Sequence, residues 1–128
     1  MNINPPLLSV KNLQLSFAVP SVLGTSEREV LRGVSFEVPV GGRVALVGES
    51  GSGKSVTALA ILRLLDPQLA RLHRGEVMFN GLSLFDLPEA KMRGIRGREI
   101  GMIFQEPMSA LNPLHPVGKQ IAETLIVH

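Results

Sequence analysis

The stretch from Arg43 to Leu65 constrains this chain more than any other. Arg43-Val44-Ala45-Leu46-Val47 is a β-branched, apolar run of buried-strand length. Gly48-Glu49-Ser50-Gly51-Ser52-Gly53-Lys54-Ser55 follows at once and completes a GxxxxGK[ST] pattern. Val56 to Leu65 is then apolar, free of Gly and Pro, and runs into Asp66-Pro67, a helix stop. Strand, glycine loop and helix in that order form a phosphate grip. Gly48, Gly51 and Gly53 permit the positive φ angles of a tight loop. Successive N–H groups then converge on phosphate oxygens, and the helix aims its positive dipole end at the same anion. Lys54 supplies a point charge to the β and γ phosphates, and Ser55 offers a hydroxyl to Mg²⁺. The competing reading is a Gly/Ser-rich linker that ends in Lys-Ser by chance. The flanking patterns argue against it.

Composition narrows the rest. The chain has 128 residues, enough for one small domain with a core. It has no cysteine, which removes disulfides, thiolate metal ligands and thiol nucleophiles and fits a reducing compartment. A net charge of +2 is too small to imply nucleic acid or an anionic membrane. No apolar run reaches the roughly 18–20 residues that span a bilayer. Met1-Asn2-Ile3-Asn4-Pro5-Pro6 lacks the basic and apolar regions of a secretory signal, so a cytosolic location is expected. The only aromatics are five Phe, so aliphatic side chains must fill the core.

Along the chain, Leu7 to Phe17 alternates apolar and polar residues and predicts a half-buried strand. Residues 20–28 read as an exposed hairpin loop, and Glu29 to Val38 as a second antiparallel strand interrupted near Gly33. An antiparallel β layer thus precedes a parallel α/β core. Gly75 to Gly81 reads as a short strand closed by Asn-Gly. Glu89 to Arg98 carries Lys91, Arg93, Arg96 and Arg98. No aromatic interleaves them, so a solvated face is expected rather than a nucleic-acid patch. Ile100-Gly101-Met102-Ile103-Phe104 reads as a buried strand ending at Gln105, and residues 106–116 as a proline-rich loop. Val117, Ile121 and Leu125 recur on one face of a helix over 117–127.

These residues together resemble the ATP-binding subunit of ABC transporters. The phosphate loop at Gly48–Ser55, the two strands before it and the later strand ending in Gln105 carry the likeness. Ile100-Gly-Met-Ile-Phe-Gln-Glu-Pro-Met-Ser-Ala-Leu-Asn-Pro113 is more specific. It is similar to the Q-loop of the subfamily that imports oligopeptides, dipeptides and nickel, and to microcin C or peptide transporter ATPases built as two fused nucleotide-binding domains. The resemblance covers nearly the whole chain. It implies an α/β fold: a P-loop NTPase (ABC ATPase) core with an N-terminal antiparallel β subdomain, truncated, with residues 1–128 the N-terminal part of one nucleotide-binding domain. The implied ligands are ATP and Mg²⁺. Gly48, Glu49, Ser50, Gly51, Ser52, Gly53, Lys54, Ser55 and Val56 would hold the nucleotide, with the Glu49 side chain turned to solvent. Phe17 would stack on adenine, with a core Phe the equal alternative. Gln105 would reach Mg²⁺ and the attacking water, sharing the catalytic role with Lys54 and the metal with Ser55. The implied partners are integral-membrane permease subunits through the Q-loop region and a second nucleotide-binding domain, as a dimer or fused tandem. No nucleic acid is expected. The implied location is peripheral, on the cytoplasmic face of the inner membrane.

Some family features are not in this sequence. It contains no LSGGQ-type signature, no apolar run ending in Asp-Glu and no switch histidine after one. The expectation is a chain that binds nucleotide without turning it over, and that is marginally stable. The alternatives are a non-transport ABC-type ATPase, a P-loop kinase and a fragment with no catalytic activity. His73, His115 and His128 have no ligand spacing and read as surface groups.

Overall fold

The computed structural model describes residues 4–128, so Met1 to Ile3 of the N-terminal stretch lie outside the described residues. Two compact units emerge, one ending at Leu87 and one running from Pro88 to His128.

The first unit is built on one antiparallel sheet. Its strands are β1 (Leu8–Ser21), β2 (Gly24–Val38), β3 (Ala70–Phe79) and β4 (Leu82–Ser83), in the spatial order β2-β1-β3-β4. The hairpin of β1 and β2 is longer than its sequence predicts. Residues 20–28 are not a loop: Pro20 pairs with Thr25 and Ser21 with Gly24, leaving Val22-Leu23 as the turn. Gly24 takes φ 122 there, so one glycine suffices to reverse the chain. Pairing along the strands outweighs the polar, loop-like composition of 24–28.

Bulges bend this sheet. Val10, Leu13 and Leu15 are all buried, although Val10 and Leu13 are three apart and a plain strand would turn them to opposite faces. Asn12, at φ 48, is the extra residue that resets the alternation. Its backbone N–H donates to Ser35 Oγ at 2.7 Å. Gly75 faces the bulge from β3 at φ 135, and a Cβ there would stand 2.8 Å from Leu13 Cα. On β2, Val30 and Gly33 are each an extra residue relative to β1. The interruption expected near Gly33 is therefore a bulge within one strand.

Helix α1 (Lys54–Ile61) ends four residues before the predicted stop at Leu65. Arg63 takes φ 54, its N–H donates to Ala60 O, and the N–H of Leu64 donates to Leu59 O. That pair of bonds is a Schellman cap, which normally has glycine at the left-handed position. Here the Arg63 guanidinium donates to the carbonyls of Leu84 and Leu87 at 3.2 and 2.7 Å, tying the helix end to the connector after β4. Arg63→Ala, which keeps the backbone strain and loses the tether, is expected to be less stable than Arg63→Gly by about 1 kcal/mol. Urea unfolding of the two variants measures the difference; equal midpoints would remove the strain argument.

β3 starts five residues earlier than the predicted strand at Gly75, because β1 offers it a partner as far as Phe17↔Ala70. Asn80 and Gly81, at φ 48 and 79, form the two-residue turn into β4 that the Asn-Gly pair predicts.

The two runs read as parallel-core strands are not strands. Residues 42–49 form no strand, have no ladder partners and are exposed, Val47 at 93%. Residues 101–104, which follow an isolated bridge between Arg96 and Ile100, are likewise unpaired, and Ile103 is 99% exposed. Apolar, β-branched composition suits a buried strand, but a strand exists only where a neighbour supplies the other half of its ladder. No such neighbour stands beside these runs among the described residues.

The second unit holds α2 (Glu89–Ile95), α3 (Pro107–Ala110) and α4 (Val117–Val127). Lys91, Arg93 and Arg98 are exposed and Arg96 pairs with Glu89 at 2.5 Å, the solvated face expected of the basic stretch. Met92 and Ile95 are the buried side of α2. The proline-rich segment is not all loop: Pro107 opens α3 at a position where its missing N–H costs nothing. The Gln120 side chain then fastens 112–115 to α4, accepting from Asn112 N and donating to the carbonyls of Asn112 and His115 at 2.8–2.9 Å. The predicted face of Val117, Ile121 and Leu125 forms on α4 and is exposed.

Candidate functional site

The glycine loop is held by its own residues. Ser52 N donates to Glu49 O at 3.1 Å, which folds the loop back on itself. Gly51 and Gly53 take φ 78 and 97, as the loop reading requires. Gly48 does not: a Cβ there would stand 2.5 Å from Ser52 Oγ, which would have to turn aside. Gly53 is at once the left-handed N-cap of α1 and the point where the loop meets the sheet. A Cβ on it would lie 2.8 Å from Leu31 Cδ2 and 3.5 Å from Val30 O. Buried Thr57 secures the junction by donating from Oγ1 to Gly53 O at 2.7 Å.

Lys54 opens α1 and turns its ammonium into the loop. Nζ donates to the carbonyls of Gly48 and Glu49 at 2.7 and 2.6 Å and to Ser52 Oγ at 3.2 Å. An ammonium has three donors and no acceptor, so this arrangement centres a positive charge in the ring of loop backbone. Ser55 follows on the first turn with its side chain exposed. Among the described residues no cluster of three or more His, Cys, Asp or Glu could hold a metal.

A cleft of about 850 Å³ joins the loop to the sheet. Gly51, Ser52 and Val56 line one side and half-buried Phe17 and Val19 line another, with β2 from Arg28 to Val34 between them. Phe17 reaches the cleft because Leu13, Leu15 and Phe17 alternate onto one sheet face, and Gly53 packs on that face through Leu31. The fold thus brings together Phe17 and the loop, which are more than thirty residues apart. Glu49 and Ser50 are exposed on the loop's outer turn. Gln105 lies in the second unit, exposed, at the bend that precedes α3.

Sequence reasoning missed the β2 wall. Arg28, Glu29 and Arg32 line the cleft, yet the sequence reads Arg28 as loop and the other two as part of a strand interrupted near Gly33. The pairing of β2 with β1, which no local pattern announces, places this stretch there. His73, read as a surface group, is 43% exposed and bonds Ser16 Oγ at 2.6 Å.

Known proteins resemble this chain along most of its length. Residues 31–124 match the family described as ABC transporter. The chain is 48% identical over 122 residues to the oligopeptide transport ATP-binding protein OppD of Bacillus subtilis, covering 95% of this chain and 33% of that protein. It is 48% identical over 122 residues to the dipeptide transport ATP-binding protein DppD of the same organism, covering 95% and 35%. The peptidoglycan transport ATP-binding protein YejF of Agrobacterium fabrum is 48% identical over 123 residues, covering 96% and 22%. The chain therefore spans about a third or less of the length of these curated relatives. Among solved structures, that of a bacterial Atm1-family ABC exporter with ATP bound matches with a TM-score of 0.51 and 30% identity, covering 76% of this chain and 15% of that one.

Proposed function

Because the chain belongs to the ABC transporter family, with the ABC ATPase fold, we propose that it is the nucleotide-gripping part of an ATP-binding subunit that drives uptake of peptides or related solutes through a membrane permease. One observation carries the nucleotide reading: a single cleft is lined by the aromatic Phe17 and by Gly51, Ser52 and Val56 of the glycine loop and its helix. A purine with its phosphates needs those two surfaces. The relatives named for oligopeptide and dipeptide transport support the substrate class.

In this reading the backbone of Gly48 to Val56 holds the phosphates, and Lys54 neutralises charge on the β and γ groups. Ser55 would hold Mg²⁺, which when bound polarises the phosphate oxygens. Gln105, whose amide both donates and accepts, would orient the attacking water and share the metal. The segment from Gln105 to Pro113 is the proposed contact with integral-membrane permease subunits, and a second nucleotide-binding domain completes the working unit. No helix among the described residues is long and apolar enough to cross a membrane, which suits a peripheral subunit on the cytoplasmic face.

Titration of the purified chain with a fluorescent ATP analogue tests the reading. Saturable binding, tightened several-fold by Mg²⁺, is expected, and Ser55→Ala should remove the Mg²⁺ gain while keeping metal-free binding. Absence of saturable binding would overturn the proposal.

A further inference from the structure

We infer that Arg28 is the second wall of the base site, holding the nucleotide base against Phe17, an inference that rests on the nucleotide reading above. Two observations place its side chain there. The ladder sets Arg28 directly opposite Phe17, and residues so paired share a sheet face with Cβ atoms about 5 Å apart. Their neighbours in sequence face the other way. Ser16 Oγ donates to Glu27 Oε2 at 3.2 Å and Arg71 Nη1 donates to Glu27 Oε1 at 2.6 Å, so Glu27 is held on the opposite face. Alternation then returns Arg28 to the Phe17 side, and both line the cleft. Val30 marks the phosphate end, its carbonyl 3.5 Å from where a Cβ of Gly53 would stand. Strand residues advance about 3.3 Å each, so Arg28 lies roughly 7 Å from that mark, beside the aromatic ring and not the glycine loop.

The chemistry agrees with the position. A guanidinium is planar, always charged and attracted to the face of an aromatic ring. It also donates through five N–H groups, and purine ring nitrogens such as N7 accept. On the β3 side the partner of Phe17 is Ala70, whose methyl supplies neither, so the base is gripped from the β2 side. Among the described residues Arg28 makes no hydrogen bond or ion pair, although Glu27 and Glu29 flank it. Both carboxylates are turned to the opposite face, Glu27 with Ser16 and Arg71, and Glu29, which pairs with Ser16 in the ladder, with Arg32. β2 is an edge strand, and an exposed charge on an edge deters pairing with other chains. Any charged residue on either face would serve that end, so it does not explain a guanidinium opposite the ring.

The test titrates the full chain with ATP and measures inorganic tripolyphosphate by competition. Arg28→Met keeps an unbranched stem without the charge or the plane. It is expected to weaken ATP roughly threefold to tenfold and to leave tripolyphosphate within about twofold. Arg28→Lys, which keeps the charge and loses the plane, should fall between for ATP. In a Phe17→Ala background Arg28→Met should matter less, because the two side chains grip one base. Unchanged ATP affinity in Arg28→Met would overturn the assignment. Equal losses of ATP and tripolyphosphate would also overturn it, by showing a charge that acts on the phosphates, and would leave the nucleotide reading intact. Failure of ATP to bind the unmodified protein saturably would overturn both.

Discussion

Lys54→Ala is expected to lower ATP affinity by at least about 100-fold with little change in thermal stability. The affinity estimate follows from charge. An ammonium that meets two phosphate oxygens loses two charge-assisted hydrogen bonds on truncation, each worth roughly 1.5–3 kcal/mol, and 1.4 kcal/mol is tenfold in affinity. The stability estimate follows from exposure. The three bonds that Nζ makes to Gly48, Glu49 and Ser52 are all at the surface, where water replaces them at small cost. Lys54→Arg is not expected to rescue binding, because the loop converges on a compact point charge and a planar guanidinium is too wide for it. Isothermal titration with a parallel melting curve separates the two quantities. An affinity within threefold of the unmodified protein would show that the ammonium does not face phosphate.

Gly75→Ala is expected to cost about 2–6 kcal/mol, a large share of a small domain's 5–15 kcal/mol. Two effects add. An L-residue at φ 135 is strained by roughly 1–3 kcal/mol. The new methyl would also stand 2.8 Å from Leu13 Cα, a backbone atom that cannot swing aside, which adds about 1–3 kcal/mol of overpacking. Leu13 is fully buried at the centre of the sheet, so the strain enters the core. Gly81→Ala is the control: its φ is also positive, at 79, but open space surrounds it, so only the left-handed penalty of roughly 1–2 kcal/mol applies. Urea unfolding followed by circular dichroism compares them. Equal losses would mean that β1 shifts to accept the methyl.

How much was legible from sequence depended on the range of the interaction. The Asn80-Gly81 turn was readable because two adjacent residues with positive φ define it. The glycine loop was readable for the same reason at Gly51 and Gly53, although Gly48 takes no positive φ. The end of α1 was misread because Arg63 took a position that glycine usually fills, and the compensation comes from Leu84 and Leu87, far along the chain. The hairpin was misread at 20–28 because polar strand residues look like loop until their partners are known.

By itself the sequence determined the chemistry of the grip: the order of glycines, Lys54 and Ser55 is local, and local steric and charge rules suffice to read it. Tertiary structure decided what that grip faces. Pairing of β1 with β2 sets Phe17 and the stretch 28–34 in the wall of one cleft with Gly51 and Val56. It also decided that Val44 to Val47 and Gly101 to Phe104, strand-like in composition, are not strands. The physical reason is common to both outcomes. Bulges and strands are properties of a paired ladder, and half of every ladder lies elsewhere in the chain.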